Sequence, residues 1–293
     1  MGSFLSWFVI ILTVGNIVGA YWLIRWTMKR RPGESAEGAT TGHSWDGLEE
    51  YNNPLPRWWL WLFYITLLFA VIYLALYPGL GTFAGTLGWT QTEQWEKEVA
   101  KAEEKYGPIF AKYAALDIPE TAAQPEALQM GKRMYLNYCA QCHGSDARGA
   151  IGFPNLADGD WLYGGEPQAI KVSILNGRAG VMPALGGALG EDLDNVVEYV
   201  LSLSGRAKDE AKIEKGKAKY QQLCIACHGP EGKGNQALGA PNLTDETWLY
   251  GKSRGAITKS ISQGRNGVMP AHKEFLGEDK SHLIAAYVWS LSN

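Results

Sequence analysis

The sequence is poor in the residues that cross-link or ligate. Its 293 residues hold four Cys, five His and six Met. All four Cys lie in two identical frames, Cys139-Ala140-Gln141-Cys142-His143 and Cys224-Ile225-Ala226-Cys227-His228. No thiol is left over for a disulfide scaffold or a free nucleophile. Excess basic charge is missing too. The net charge is −3, which removes the electrostatic signature of a nucleic-acid binder. Charge is also absent locally: residues 3–24 contain none, and neither do residues 58–77.

The two C-x-x-C-H pentads point to covalent haem. Two thiols add to the vinyl groups of the porphyrin, and the adjacent His rises beneath the iron as its proximal ligand. Zinc ribbons also use C-x-x-C pairs, but they do not require His directly after each second Cys. The expected cofactors are therefore two haem c groups, attached at Cys139, Cys142, Cys224 and Cys227 and ligated by His143 and His228.

The uncharged runs predict two transmembrane helices, about 3–24 and 58–77, since about 20 apolar residues span a bilayer. A secretory signal is the competing reading of the first run. It would place basic residues before the apolar stretch, whereas Arg25, Lys29, Arg30 and Arg31 follow it. Trp58, Trp59 and Trp61 at one end of the second run, and Tyr73 and Tyr77 at the other, suit the interfacial belts. Basic residues at the membrane ends of the intervening loop make that loop cytoplasmic by the positive-inside rule. Both termini and both pentads then face the periplasm of a bacterial inner membrane.

The soluble part is a duplication with 85 residues from first Cys to first Cys. Gly131 to Tyr135 matches Gly216 to Tyr220, and Pro154-Asn155-Leu156 matches Pro241-Asn242-Leu243. Trp161 to Gly164 matches Trp248 to Gly251, and Gly177 to Pro183 matches Gly264 to Pro270. The organisation expected is a membrane anchor at 1–85, a charged linker at 86–125 and two small helical domains at 126–205 and 209–293, all-α throughout. Met182 and Met269 are the only Met downstream of the first pentad, one after each pentad and both in a Gly-Val-Met-Pro frame, and are the candidate sixth ligands. Met130 and Met134 have no counterpart in the second repeat and read as helix packing. His272 and His282 could compete with Met269 but also lack a counterpart in the first repeat, and read as solvent-exposed side chains rather than ligands. Arg178 and Arg265, four residues before each Met, are candidate partners of haem propionates, as are the indole N–H groups of Trp161 and Trp248. The alternatives are solvated charge for the Arg pair and core packing for the Trp pair. Residues 126–205 carry 5 Lys+Arg against 9 Asp+Glu, and residues 206–293 carry 13 against 9. The second half is therefore a candidate docking surface for an acidic donor, the alternative being two halves that face each other.

Both repeats resemble class I cytochromes c in the order C-x-x-C-H, Pro-Asn-Leu, Met-Pro. That likeness implies that the carbonyls of Pro154 and Pro241 orient the two His, and that close helix crossings join Gly131 to Tyr199 and Gly216 to Tyr287. Pairing of each Met with the pentad of its own repeat is the simplest expectation; an exchange, Met182 to the second haem and Met269 to the first, stays open.

Residues 41–59 (TGHSWDGLEEYNNPLPRWW) resemble the segment that enters the membrane in the CcoP subunits of cbb3-type cytochrome c oxidases. The likeness covers the whole chain. It implies a non-catalytic electron-transfer subunit that takes electrons from a soluble cytochrome c. They pass to a monohaem cytochrome subunit and on to the haem–copper subunit of a proton-pumping complex. The competing readings are the dihaem subunit of another periplasmic dehydrogenase complex, and a haem sensor or peroxidase with an open iron.

Overall fold

A computed structural model describes residues 2–293, which divide into two compact units with the boundary between Glu103 and Glu104. The first unit is built on two long apolar helices, α1 (Ser3–Thr27) and α2 (Arg57–Leu76), each long and apolar enough to cross a membrane. Most of the large side chains along both helices are exposed, as lipid-facing ones would be. Helix α2 starts after Pro56 and stops where Tyr77 turns extended ahead of Pro78, whose ring cannot continue a helix. The segment after α2 folds back on α1: the Thr82 N–H donates to Ser6 Oγ at 3.0 Å.

The chain is mostly helical but not all-α. Strands β1 (Thr40–Trp45) and β2 (Leu48–Tyr51) form an antiparallel hairpin within the segment joining α1 to α2. Its turn is Asp46-Gly47, with φ of 50° and 84°. Asp-Gly with both residues left-handed is the two-residue turn whose twist matches paired strands. A second pair, β3 (Arg178–Met182) and β4 (Arg265–Met269), joins the two repeats.

The second unit begins within α3 (Gln91–Ala114), so the expected linker is largely helix. Tyr113 near its end is buried, and its hydroxyl donates to Glu126 at 2.7 Å. Then follow α4 (Ile118–Ala122), α5 (Pro125–Tyr138), the pentad helix α6 (Ala140–His143) and α7 (Pro167–Asn176). Past β3 come α8 (Gly186–Leu189), α9 (Leu193–Leu203), α10 (Glu210–Leu223), the pentad helix α11 (Ile225–His228) and α12 (Arg254–Gln263). Helix α13 (Lys273–Trp289), broken at Gly277 where φ is 72°, closes the chain.

The core is not divided as the repeats are. One apolar cluster joins Ile118, Tyr135, Ile170 and Ile174 of the first repeat to Leu276, Ile284 and Val288 of the second. The other joins Val196, Val197 and Val200 of the first repeat to Tyr220, Ile257 and Ile261 of the second. Helix α5 therefore crosses α13, and α10 crosses α9. A methyl added to Gly131 would overlap the Leu283 carbonyl oxygen and lie 2.9 Å from Tyr287 Cβ; one added to Gly216 would overlap the Asn195 carbonyl and lie 2.9 Å from Tyr199 Cβ. The crossings expected between Gly131 and Tyr199, and between Gly216 and Tyr287, are thus exchanged. The rings follow suit, with Tyr135 5.3 Å from Tyr287 and Tyr220 5.0 Å from Tyr199, both tilted.

Buried Glu198 fastens the second of these bodies. Its carboxylate accepts from the backbone N–H of Lys208 and Asp209 at the start of α10 and pairs with Arg254 on α12. His272 and His282 are buried, not exposed as expected. His282 Nε2 lies 3.0 Å from Thr121 Oγ1, tying α13 to α4. Met130 and Met134 pack against the buried core, as expected.

Candidate haem sites

Each pentad is held by the same local scaffold. The helix before it ends at the first Cys, and the pentad itself makes one turn that stops at a left-handed glycine, Gly144 (φ 79°) or Gly229 (φ 75°). Only a residue without Cβ takes that conformation at no cost. Two further bonds close the loop: Tyr135 donates to the Gly144 carbonyl and Tyr220 to the Gly229 carbonyl, both at 2.8 Å. These tyrosines are fully buried, and sequence reasoning saw them only as the aromatic member of a repeated frame.

The two candidate imidazoles are oriented as iron ligands would be. His143 Nδ1 lies 3.0 Å from the Pro154 carbonyl oxygen, and His228 Nδ1 lies 3.1 Å from that of Pro241. A carbonyl only accepts, so Nδ1 carries the proton and Nε2 keeps its lone pair for a metal. Both rings are buried, which lowers their proton affinity; the carbonyl bond acts the other way. Within each pentad the first thiol is half-buried and the second exposed. Burial, with a smaller contribution from the neighbouring Cys, pushes the Cys139 and Cys224 thiols up to about 11.

The exchange of helices carries the methionines with it. Met269, Cys139, Leu156 and Trp161 all pack against the buried cluster that contains Tyr135. Met182, Cys224 and Trp248 all pack against the one that contains Tyr220 and Leu243. Each cluster thus combines a pentad from one repeat with the Met from the other. The chain crosses out through β3 and returns through β4. The pair is antiparallel about Gly180 and Gly267, with Arg178 opposite Met269 and Met182 opposite Arg265. Past the strands, the Leu185 N–H donates to the Ile261 carbonyl at 2.9 Å, and the His272 N–H to the Ile174 carbonyl at 3.0 Å.

Arg178 and Arg265 are the first residues of these strands. Arg178 Nε donates to Ser173 Oγ and Arg265 Nε to Ser260 Oγ, both at 2.9 Å. Their guanidinium carbons stand 4.7 Å from the Tyr163 ring and 4.2 Å from the Tyr250 ring. These two tyrosines lie inside the repeated Trp-Leu-Tyr-Gly frame, which was the available signal for them. The Trp248 indole N–H donates to the Asp245 carbonyl at 3.0 Å, so here it is engaged by the backbone.

The donor set suits haem c: two spaced thiols, an imidazole with Nε2 free, and a thioether against the same apolar cluster. Comparison with known proteins agrees. Residues 37–84 match the family model described as the N-terminal domain of cytochrome oxidase-cbb3, FixP. Residues 126–200 and 211–288 match the model for cytochrome c oxidase, cbb3-type, subunit III. Similar curated proteins include the cbb3-type cytochrome c oxidase subunit CcoP of Rubrivivax gelatinosus, 51% identical over 88% of this chain and 85% of that one. The CcoP of Rhodobacter capsulatus is 41% identical over 90% and 99%, and the FixP of Bradyrhizobium diazoefficiens 42% over 86% and 94%.

Proposed function

The chain belongs to the CcoP/FixP family of cbb3-type cytochrome c oxidase subunits, and from that premise we propose how its residues serve as the electron-transfer subunit of such an oxidase. Each of two haem c groups is held by its pentad thiols, Cys139 and Cys142 or Cys224 and Cys227. His143 and His228 supply the proximal imidazoles. Met269 completes the iron of the first haem and Met182 that of the second. The single observation that carries this assignment is that each Met packs against the same apolar cluster as the first pentad Cys of the other repeat.

Bound haem supplies one-electron redox chemistry. The residues that would hold it are His143 with Met269 and His228 with Met182. Such His/Met ligation would raise the potential of the iron and leave it no open position, which suits transfer and opposes oxygen binding. Arg178, Arg265 and Trp161 remain proposed partners of the propionates. Oxygen reduction belongs to another subunit, so this chain is a carrier and not itself a catalyst.

The membrane arrangement is part of the same reading. Helices α1 and α2 cross the bacterial inner membrane, with the hairpin-bearing loop on the cytoplasmic side. Both termini and both haems lie in the periplasm. Support comes from Arg25, Lys29, Arg30, Arg31 and Arg57 at the membrane ends of that loop. Electrons arrive from a soluble cytochrome c and leave through a monohaem cytochrome subunit toward the haem–copper subunit.

Purification of the chain within its membrane complex tests this proposal. It should bring down haem b and copper, carry two covalent haems, and show low-spin iron with a Met–iron charge-transfer band. High-spin haem in both oxidation states would overturn it.

A further inference from the structure

Each candidate sixth ligand is clamped by a glycine from the opposite repeat. Gly177 ends α7 and turns into β3 with φ 68°; Gly264 ends α12 and turns into β4 with φ 73°. A Cβ at Gly177 would overlap the Met269 carbonyl oxygen and lie 2.7 Å from Ala271 N and 2.8 Å from the Pro270 carbonyl carbon. A Cβ at Gly264 would lie 2.5 Å from the Met182 carbonyl oxygen, 2.8 Å from Ala184 N and 3.0 Å from the Pro183 carbonyl carbon. Every one of these neighbours is backbone, so none can swing aside as a side chain would. Both positions also have a φ that L-residues disfavour.

We propose that Gly177 and Gly264 are positioning residues for the sixth ligand of the haem iron: Gly177 seats the Met269-Pro270 backbone, and Gly264 seats that of Met182-Pro183. This rests on the reading of Met182 and Met269 as iron ligands. The assignment runs against chain proximity. Gly177 is five residues from Met182, yet its Cα faces the loop of Met269. The β3–β4 pair lies between the two contacts, so each loop is braced by the opposite repeat. A methyl at Gly177 pushes the Met269 backbone away. The thioether then sits less often on the iron, and an external ligand competes for that iron more successfully.

The test uses the full-length chain with both haems attached. Met182→His leaves a single Met–iron charge-transfer band, that of Met269; Met269→His leaves that of Met182. If either single variant keeps both bands, the ligand reading itself fails, whatever the glycines do. With that reading secured, Gly177→Ala is expected to weaken the band in the Met182→His background and to spare it in the Met269→His background. Gly264→Ala should do the reverse. Titration with imidazole should show about tenfold tighter apparent binding at the affected iron alone, because the Met-free fraction rises. Haem content and thermal melting accompany each variant. Where Gly177→Ala abolishes haem attachment, Gly264→Ala carries the test alone. Equal loss of both bands, no loss in either background, or loss at the Met nearer in sequence would overturn the proposal.

Discussion

Gly131 and Gly216 show what a single atom decides. Each lets its helix meet a backbone carbonyl on a crossing helix, and a methyl there is overpacking, at a typical cost of about 1–3 kcal/mol. The crossing helix comes from the opposite repeat, which gives the substitution a diagnostic partner. Gly131→Ala and Tyr287→Ala should be coupled in a double-mutant cycle on thermal stability, by about 0.5–3 kcal/mol. Gly131→Ala and Tyr199→Ala should be additive. Coupling to Tyr199 instead would contradict the exchanged crossing. The glycine, the aromatic and the need for close approach were all legible in the sequence. Which aromatic was not, because a duplicated sequence offers Gly131 two equivalent partners and nothing local distinguishes them.

Among the elements, α13 carries more than its position at the end of the chain suggests. It crosses α5, lies against α7 and is joined to α4 through His282 and Thr121. The Thr121 hydroxyl also lies 3.0 Å from the Tyr113 carbonyl and 2.8 Å from that of Asp117, so the contact draws in the end of α3. Burial, helped by Lys171, holds the His282 imidazole below its ordinary value, while Asp279 and Asp117 act the other way. The sign follows from proton counting. Below about pH 6.5 the unfolded chain binds a proton that the folded chain resists, so stability is lost as pH falls through that value. With haem bound as proposed, His143 and His228 would be tied to iron and would not add to this slope. The melting temperature should therefore fall on acidification from about pH 7 to about pH 5, and His282→Gln should flatten the fall. Parallel curves for the two proteins would exclude His282 as its source. No reading of the sequence reaches this contact, since His282 has no counterpart in the first repeat and its partner lies 161 residues away. The β1–β2 hairpin is a different case. Asp46-Gly47 is a strong turn signal in plain view, eclipsed by the family likeness of the residues around it.

At the scale of the whole molecule, the exchange changes what counts as a part. The charge contrast between the repeats does not survive folding. Residues 126–177 with 270–293 carry 6 Lys+Arg and 8 Asp+Glu, while residues 182–264 carry 10 of each. The basic second half is therefore not a basic folded body, and the case for it as a docking surface weakens. Neither repeat alone holds a complete core: residues 126–205 lack α13 and Met269, and residues 209–293 lack α9 and Met182. Small domains of this size have little apolar surface to spare. Cutting the chain in the link between α9 and α10 turns this into an experiment. Residues 1–205 expressed alone should accept haem at Cys139 and Cys142, yet show no Met–iron band and poor resistance to proteolysis. Residues 206–293, exported behind a cleavable signal, should behave likewise. Co-expressed, the two fragments should associate through β3–β4 and the α5–α13 and α9–α10 crossings, and both Met–iron bands should return. If either fragment alone gives a stable six-coordinate haem with its own Met, the two repeats are independent cytochromes and the exchanged arrangement is wrong.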